Sequence, residues 1–276
     1  MERKSFKCSY NRIELIITYK CNLRCINCDA MVSQAPSSDS MTVDQIKKFI
    51  EETIKDKIEW KHIRVLGGEP TIHNNFLEIM ELIGSYKINH SPNTRIQVVT
   101  NGYAPTSNKI IEKLPKYIEI ENSNKKGSFQ PQFAPINEAP IDSGLYSARD
   151  FSKGCWIPAL CGIALDMNGY YPCSAAAAFD RVSGYGLGKK QVPQFGELEK
   201  LFKVYCKMCG HFTDKVNSYA TEDVATPEAL ERFEKIHTEK FPESFKDNNY
   251  QKTIYSKSWV KIMDKYKKEK PTHDKY

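Results

Sequence analysis

Apolar and polar positions follow two different periods along the first half of the chain, and the switches between them mark its elements. Residues 13–18 (Ile13, Glu14, Leu15, Ile16, Ile17, Thr18) are β-branched and apolar, as in a buried strand. Residues 34–41 are rich in Ser, Pro and Asp and read as a loop. Thr42 suits a helix N-cap, with Gln45 as its capping-box partner. Ile46, Phe49, Ile50, Ile54 and Ile58 then keep helical spacing to about Glu59. His62 to Leu66 is strand-like and ends in Gly67-Gly68. Phe76 to Ile83 has a helical period that stops near Gly84. Arg95 to Thr100 reads as a strand closed by an Asn101-Gly102 turn. Lys109 to Leu114 is expected as a short helix and Tyr117 to Ile120 as a fourth strand.

Four rounds of strand and helix predict an α/β fold with parallel strands and crossover helices. In such sheets ligands sit at the carboxyl ends of the strands. Three cysteines follow the first strand, Gly-Gly-Glu-Pro the second and Thr-Asn-Gly the third. The alternation stops near residue 122. Residues 122–150 are polar, with Asn, Ser, Pro and Gly, and read as an irregular loop or linker. Ile163 to Met167 and Tyr170 to Cys173, around Asn168-Gly169, predict a hairpin. Phe195 to Tyr205 predicts a short helix leading to Cys206, and Pro227 a helix running to about Lys240. Residues 240–276 are Lys-rich and predict a solvated helical tail.

Composition narrows the classes. The chain has 276 residues, with 40 Lys+Arg against 34 Asp+Glu and 11% aromatic residues. That length suits one large domain or a domain with a small appendage. The aromatic content excludes wholesale disorder. No apolar run reaches the ~18 residues of a membrane span. The first residues lack a signal-peptide pattern, so a soluble cytoplasmic protein is expected. The basic tail has acids interspersed and no aromatic platform, which points away from nucleic acid.

Eight of the nine cysteines fall in three clusters: Cys21, Cys25 and Cys28; Cys155, Cys161 and Cys173; Cys206 and Cys209. In a reducing compartment such clusters read as metal or iron–sulfur ligands. Cys-x3-Cys-x2-Cys offers three thiolates on one short loop. Three thiolates leave one iron of a [4Fe–4S] cube open, as a catalytic cluster needs. The competing reading is a zinc loop completed by His62 or Asp29.

The triad, Gly67-Gly68-Glu69-Pro70 and Thr100-Asn101-Gly102, in that order and each after a strand, resemble the radical S-adenosylmethionine (radical SAM) superfamily. The resemblance covers residues 10–122. It implies that Cys21, Cys25 and Cys28 hold a [4Fe–4S] cluster whose open iron chelates S-adenosylmethionine. One electron then cleaves the sulfonium to give a 5′-deoxyadenosyl radical, which abstracts a substrate hydrogen. Asn27 takes the place often held by an aromatic ring beside the adenine. Gly67, Gly68, Glu69 and Pro70 are expected at the cofactor, with a carbonyl and the Glu69 carboxylate suited to an ammonium group. Thr100 and Asn101 suit either ribose hydroxyls or a plain turn. The resemblance names no catalytic residue.

The later cysteines resemble the auxiliary-cluster domains of the same superfamily, called twitch or SPASM. Similarity to the twitch domain of a radical SAM aminocyclitol dehydrogenase implies a second [4Fe–4S] cluster on Cys155, Cys173, Cys206 and Cys209. A SPASM-like set would include Cys161 instead of one of the later pair. The expected organisation is a radical SAM core at 1–150, an abbreviated (β/α) barrel. An auxiliary hairpin/helix domain at 151–215 and a helical basic extension at 216–276 follow. By the same resemblance the expected enzyme is an oxidoreductase acting on a sugar-like or aminocyclitol substrate, with peptide modification as the alternative. A non-catalytic metal-binding scaffold is the rival from another class. The enzyme would need an electron donor such as flavodoxin or ferredoxin. Cys8 is expected to be a buried or free thiol and His73 a surface histidine. Asp180 and Arg181 suit either a mutual pair or a substrate anchor, and Gly184, Gly186 and Gly188 suit turns.

Overall fold

The computed structural model describes residues 5–23, 25, 28–32, 38–123, 125, 139–142, 148–153 and 155–209. The strands are β1 (Arg12–Thr18), β2 (His62–Gly67), β3 (Arg95–Thr100), β4 (Ile118–Asn122), β5 (Ile163–Asp166) and β6 (Gly169–Tyr171). The helices are α1 (Val43–Lys55), α2 (Phe76–Asn89), α3 (Pro105–Ile111), α4 (Ile157–Leu160), α5 (Ser174–Ser183) and α6 (Glu199–Met208). They build one six-stranded sheet in the order β4-β3-β2-β1-β5-β6. β1 to β5 pair in parallel, and β6 returns antiparallel to β5. This is the expected α/β fold, a parallel sheet with crossover helices that ends in a hairpin and helix. The helices expected at 227–240 and in the tail lie outside the described residues.

One face of the sheet is apolar. Ile13, Leu15, Ile17, Ile63, Val65, Ile96 and Val98 are each 0% exposed and pack with Ile46 and Phe49 of α1 and Ile79 and Ile83 of α2. Burial of this face is the main stabilising term, roughly 1.5–3 kcal/mol for each large apolar side chain. The opposite face carries Glu14, Arg64 and Gln97, which share one register row across β1, β2 and β3.

Local chemistry sets the element ends. At α1 the capping box forms: Gln45 N donates to Thr42 Oγ1 (3.2 Å) and Thr42 N to Gln45 Oε1 (2.9 Å). The helix stops at Lys55, short of the expected Glu59, and Lys57 just beyond has φ +53. α3 starts at Pro105, earlier than Lys109, because proline is preset for the first helical position. α6 starts at Glu199 rather than Phe195. Phe195 is 78% exposed and tilts against Tyr10, and Gly196 at φ +85 interrupts the helical run.

The hairpin forms as the Asn168-Gly169 signal suggested. Asp166 Oδ1 accepts from the N–H groups of Asn168 (2.7 Å) and Gly169 (3.2 Å). Its placement was not legible: β5 lies directly beside β1, with Ile13 opposite Ile163. Gly162 (φ +86) permits this, since a Cβ there would sit 2.0 Å from the Arg12 carbonyl oxygen. Among the described residues no helix is long and apolar enough to cross a membrane.

Candidate functional site

The carboxyl ends of β1, β2 and β3 meet at one place. The backbone ladder between β1 and β2 runs on past the strands: Gly68 N donates to Thr18 O (2.8 Å) and Glu69 N to Lys20 O (2.8 Å). This ladder fixes the chain that enters Cys21. A Cβ on Gly67 would lie 2.2 Å from Thr18 O, and one on Gly68 2.4 Å from Lys20 O and 2.9 Å from Cys21 Cβ. The close approach these glycines allow is therefore made by the chain's own triad loop.

Glu69 is wholly buried and ties the second strand end to the third. Its Oε1 accepts from the hydroxyls of Thr71 (2.6 Å) and Thr100 (2.8 Å) and from Thr71 N (3.2 Å). Its Oε2 accepts from Asn101 N (2.7 Å). Expectation and structure part here: the carboxylate points into the fold, at Thr71, Thr100 and Asn101. Pro70 opens a short turn, Pro70–Ile72, that seats Thr71 for this bond. Asn101 Nδ2 donates to Asn22 Oδ1 (2.7 Å) and reaches Cys21 Sγ at 3.8 Å, so the third strand end touches the triad loop. Its Oδ1 accepts from Tyr103 N (2.8 Å), closing the turn. Asn27 lies outside the described residues.

Cys21, Cys25 and Cys28 share the loop after β1, and Cys25 is 5% exposed. Burial is the largest influence on two of the thiols, raising Cys21 and pushing Cys28 up to about 12. N–H donors and a cation oppose it. Leu23 N donates to Cys21 Sγ (3.4 Å), and Lys125 Nζ lies 3.7 Å from Cys25 Sγ. The Lys125 charge acts on Cys21 and Cys28 too. Donors aimed at sulfur fit a set of thiolates deprotonated by a bound cluster. Lys125 was missed in the sequence, where it sits in a polar stretch. It is placed by its own N–H, which bonds Asn101 O (2.9 Å).

His62 starts β2, at the end opposite the triad, five residues or roughly 17 Å along the strand from Gly67. It is not a triad ligand. Among the described residues no three His, Cys, Asp or Glu side chains converge on a single metal ion. A cube with one thiolate per iron does not ask for that convergence. His73 is buried, not superficial. Its Nδ1 accepts from Asn75 N (3.0 Å), so Nε2 donates to Met41 O (2.8 Å).

The second cysteine set gathers where β6 and α6 end. Burial raises Cys155 and Cys173 to about 12 and Cys206 well above the usual thiol range. Each feels the others: Cys155 the charge of Cys209, Cys173 that of Cys155, and Cys206 those of Cys173, Cys209 and Cys155. Cys161 feels the charge of Cys173 as well; Arg64 Nη1 donates to its sulfur (3.2 Å) and Glu14 lies beside it. Cys8 packs beside the core, and burial pushes its thiol up to about 12. Asp180 and Arg181 do not pair. Asp180 accepts from Tyr171, Tyr205 and Leu187, while Arg181 Nη2 donates to Ala30 O and Met31 O (both 3.2 Å).

Comparison with known proteins agrees with this geometry. The Radical SAM superfamily matches over residues 15–122, a span that starts in β1 and ends with β4. Residues 15–122 are a radical SAM domain. The radical SAM superfamily is one of enzymes, and its cofactors, a [4Fe–4S] cluster and S-adenosylmethionine, are those of this domain. GTP 3′,8-cyclase of Haemophilus ducreyi is 33% identical over 99 residues, 36% of this chain and 28% of that protein. GTP 3′,8-cyclase of Campylobacter jejuni subsp. doylei is 26% identical over 95 residues, 34% of this chain and 28% of that protein. The chain thus matches less than a third of the length of these relatives. A crystal structure of BtrN in complex with AdoMet and 2-DOIA covers 79% of this chain and 97% of its own, at 15% identity and a TM-score of 0.43.

Proposed function

We propose that this chain is a radical SAM oxidoreductase with two [4Fe–4S] clusters that dehydrogenates a small sugar-like or aminocyclitol substrate. Cys21, Cys25 and Cys28 would hold the first cluster and Cys155, Cys173, Cys206 and Cys209 the second. The observation that carries the reading is this pair of sulfur sets, one after β1 and one after β6 and at the end of α6. When bound, the first cluster and S-adenosylmethionine would supply a 5′-deoxyadenosyl radical able to take a substrate hydrogen atom; the second cluster would accept the remaining electron while the hydroxyl proton passes to solvent.

The chain's own residues position and shield. Glu69 holds Thr100 and Asn101 against the triad loop, so three strand ends form one rigid rim. Lys125 brings a positive charge to the buried sulfurs, which suits an anionic cluster or a cofactor carboxylate. The second set follows the twitch-like pattern; Cys161, whose sulfur accepts from Arg64, would replace one of the later pair in a SPASM-like set. The matched relatives share only the domain that carries the first cluster, so their substrate is not carried over.

Iron and sulfide counting on anaerobically reconstituted protein tests the reading. Two cubes give about eight Fe per chain, and changing Cys21, Cys25 and Cys28 to Ala leaves about four. With dithionite and S-adenosylmethionine the unaltered protein forms 5′-deoxyadenosine and the triple variant forms none. About four Fe falling to none would remove the second cluster and the oxidative role with it.

A further inference from the structure

The polar face of the sheet holds a row of charged groups that the cofactor site does not use. Glu14 sits in the middle of β1, on the face opposite Ile13 and Leu15, and is 3% exposed. Arg64 lies beside it on β2 and bonds Glu14 Oε1; its Nε donates to Gln97 (3.0 Å) and its Nη2 to Glu121 (2.8 Å). Its Nη1 also reaches Cys161 Sγ (3.2 Å). One guanidinium thus faces two carboxylates, Glu14 and Glu121.

One atom in this row is unspent. Glu14 Oε2 is buried and has no hydrogen-bond partner among the described residues. Leaving a buried carboxylate oxygen unbonded is costly, and such an atom calls for a donor that arrives from elsewhere. The position matters as well. Glu14 lies four residues, roughly 13 Å, along β1 from Thr18, which precedes the triad. On its other side it acts electrostatically on Cys173 of the second set. The row therefore lies between the two sulfur sets.

We infer that the Glu14–Arg64–Glu121 row is the floor of the substrate site and that the substrate carries an ammonium group, bound by the free oxygen of Glu14. Arg64 holds the carboxylate in place from behind, and Gln97 and Glu121 fix Arg64. A buried carboxylate oxygen with no donor among the described residues selects a cation over a neutral or anionic molecule of the same shape. This deepens the oxidoreductase reading and rests on it for the term substrate, but its test needs no turnover.

The test is calorimetric binding to the full reconstituted chain, with S-adenosylmethionine present and no reductant, at a mildly acidic pH where the amine is charged. Three probes of one shape are compared: glucosamine, glucose and glucuronate. Glucosamine is expected to bind about tenfold more tightly than glucose, with glucuronate weaker still. Glu14→Gln should bring glucosamine down to the level of glucose while its iron content stays unchanged. The three-probe comparison on the unaltered protein stands even where the variant fails to fold. No saturable binding of any probe, equal binding of glucosamine and glucose, or an unchanged glucosamine affinity in a folded Glu14→Gln overturns the inference. Formation of 5′-deoxyadenosine by the same preparation is scored separately. Its absence would sink the radical reading and leave the binding result untouched.

Discussion

His62 shows how a single side chain on the polar face ties stability to pH. Burial comes first, then the charges of Arg95, Arg64 and Arg12, and together they hold its imidazole down at about 4, against a partial pull from Glu119. Its Nε2 has no hydrogen-bond partner among the described residues. The unfolded chain takes up a proton near the ordinary value of ~6.5, before the folded one does. The unfolded state therefore binds more protons between pH 6.5 and 4. Stability contributed by the neutral ring is present above that window and is lost as pH falls through it, by up to about 3 kcal/mol. Asp166 works the other way: burial raises it to about 6, so the folded state keeps a proton longer and gains as pH falls. The difference between the unaltered protein and His62→Leu separates the two. Urea unfolding from pH 7 to 4 should show a shallower loss in the variant, and parallel curves would contradict the assignment.

At the scale of elements, much of the fold could be read directly. The strands of the parallel half announce themselves by apolar runs that end in Gly-Gly, Asn-Gly and cysteines. The motif residues fall at neighbouring strand ends because parallel strands put their carboxyl ends on one edge. What escaped were facts of register and pairing. β5 joins β1 through a contact that only Gly162 allows, and no periodicity reports it. Glu14 was visible as a lone charge inside an apolar run, the one mark that could have revealed the polar row. Lys125 had no such mark, since only the turn at Asn101 brings it to Cys25. Gly68 makes this dependence on contact testable. An Ala there would press its Cβ on Lys20 O and Cys21 Cβ, so the triad loop must move. Gly68→Ala is expected to cost about 1–3 kcal/mol and to lower iron by up to four per chain. Unchanged iron and thermal midpoint would show that the loop yields freely.

For the whole molecule, the question is what keeps two distant sulfur sets in one frame, and α5 is the answer the bonds give. Asp180 is 2% exposed and accepts from Tyr171 (2.7 Å), two residues before Cys173, and from Tyr205 (2.5 Å), one before Cys206. The next residue, Arg181, lies 3.5 Å over the Tyr19 ring and holds the carbonyls of Ala30 and Met31, just after Cys28. Adjacent side chains on one helix thus grip both sets, and Tyr19 closes the frame by donating to Asp166 (2.9 Å) in the hairpin. Removing the Tyr205 hydroxyl deletes one buried hydrogen bond to a carboxylate, a loss of about 1.5–3 kcal/mol. Because that bond sits on α6, its effect should fall on the second set. With Cys21, Cys25 and Cys28 already changed to Ala, adding Tyr205→Phe should lower the remaining iron below about four per chain. In the otherwise unaltered protein the same change should leave iron at the triad, and so 5′-deoxyadenosine formation, in place. If instead 5′-deoxyadenosine formation fell first, the helix would be holding the triad loop through Asp180 and not only through Arg181. The two sets would then be mechanically one site.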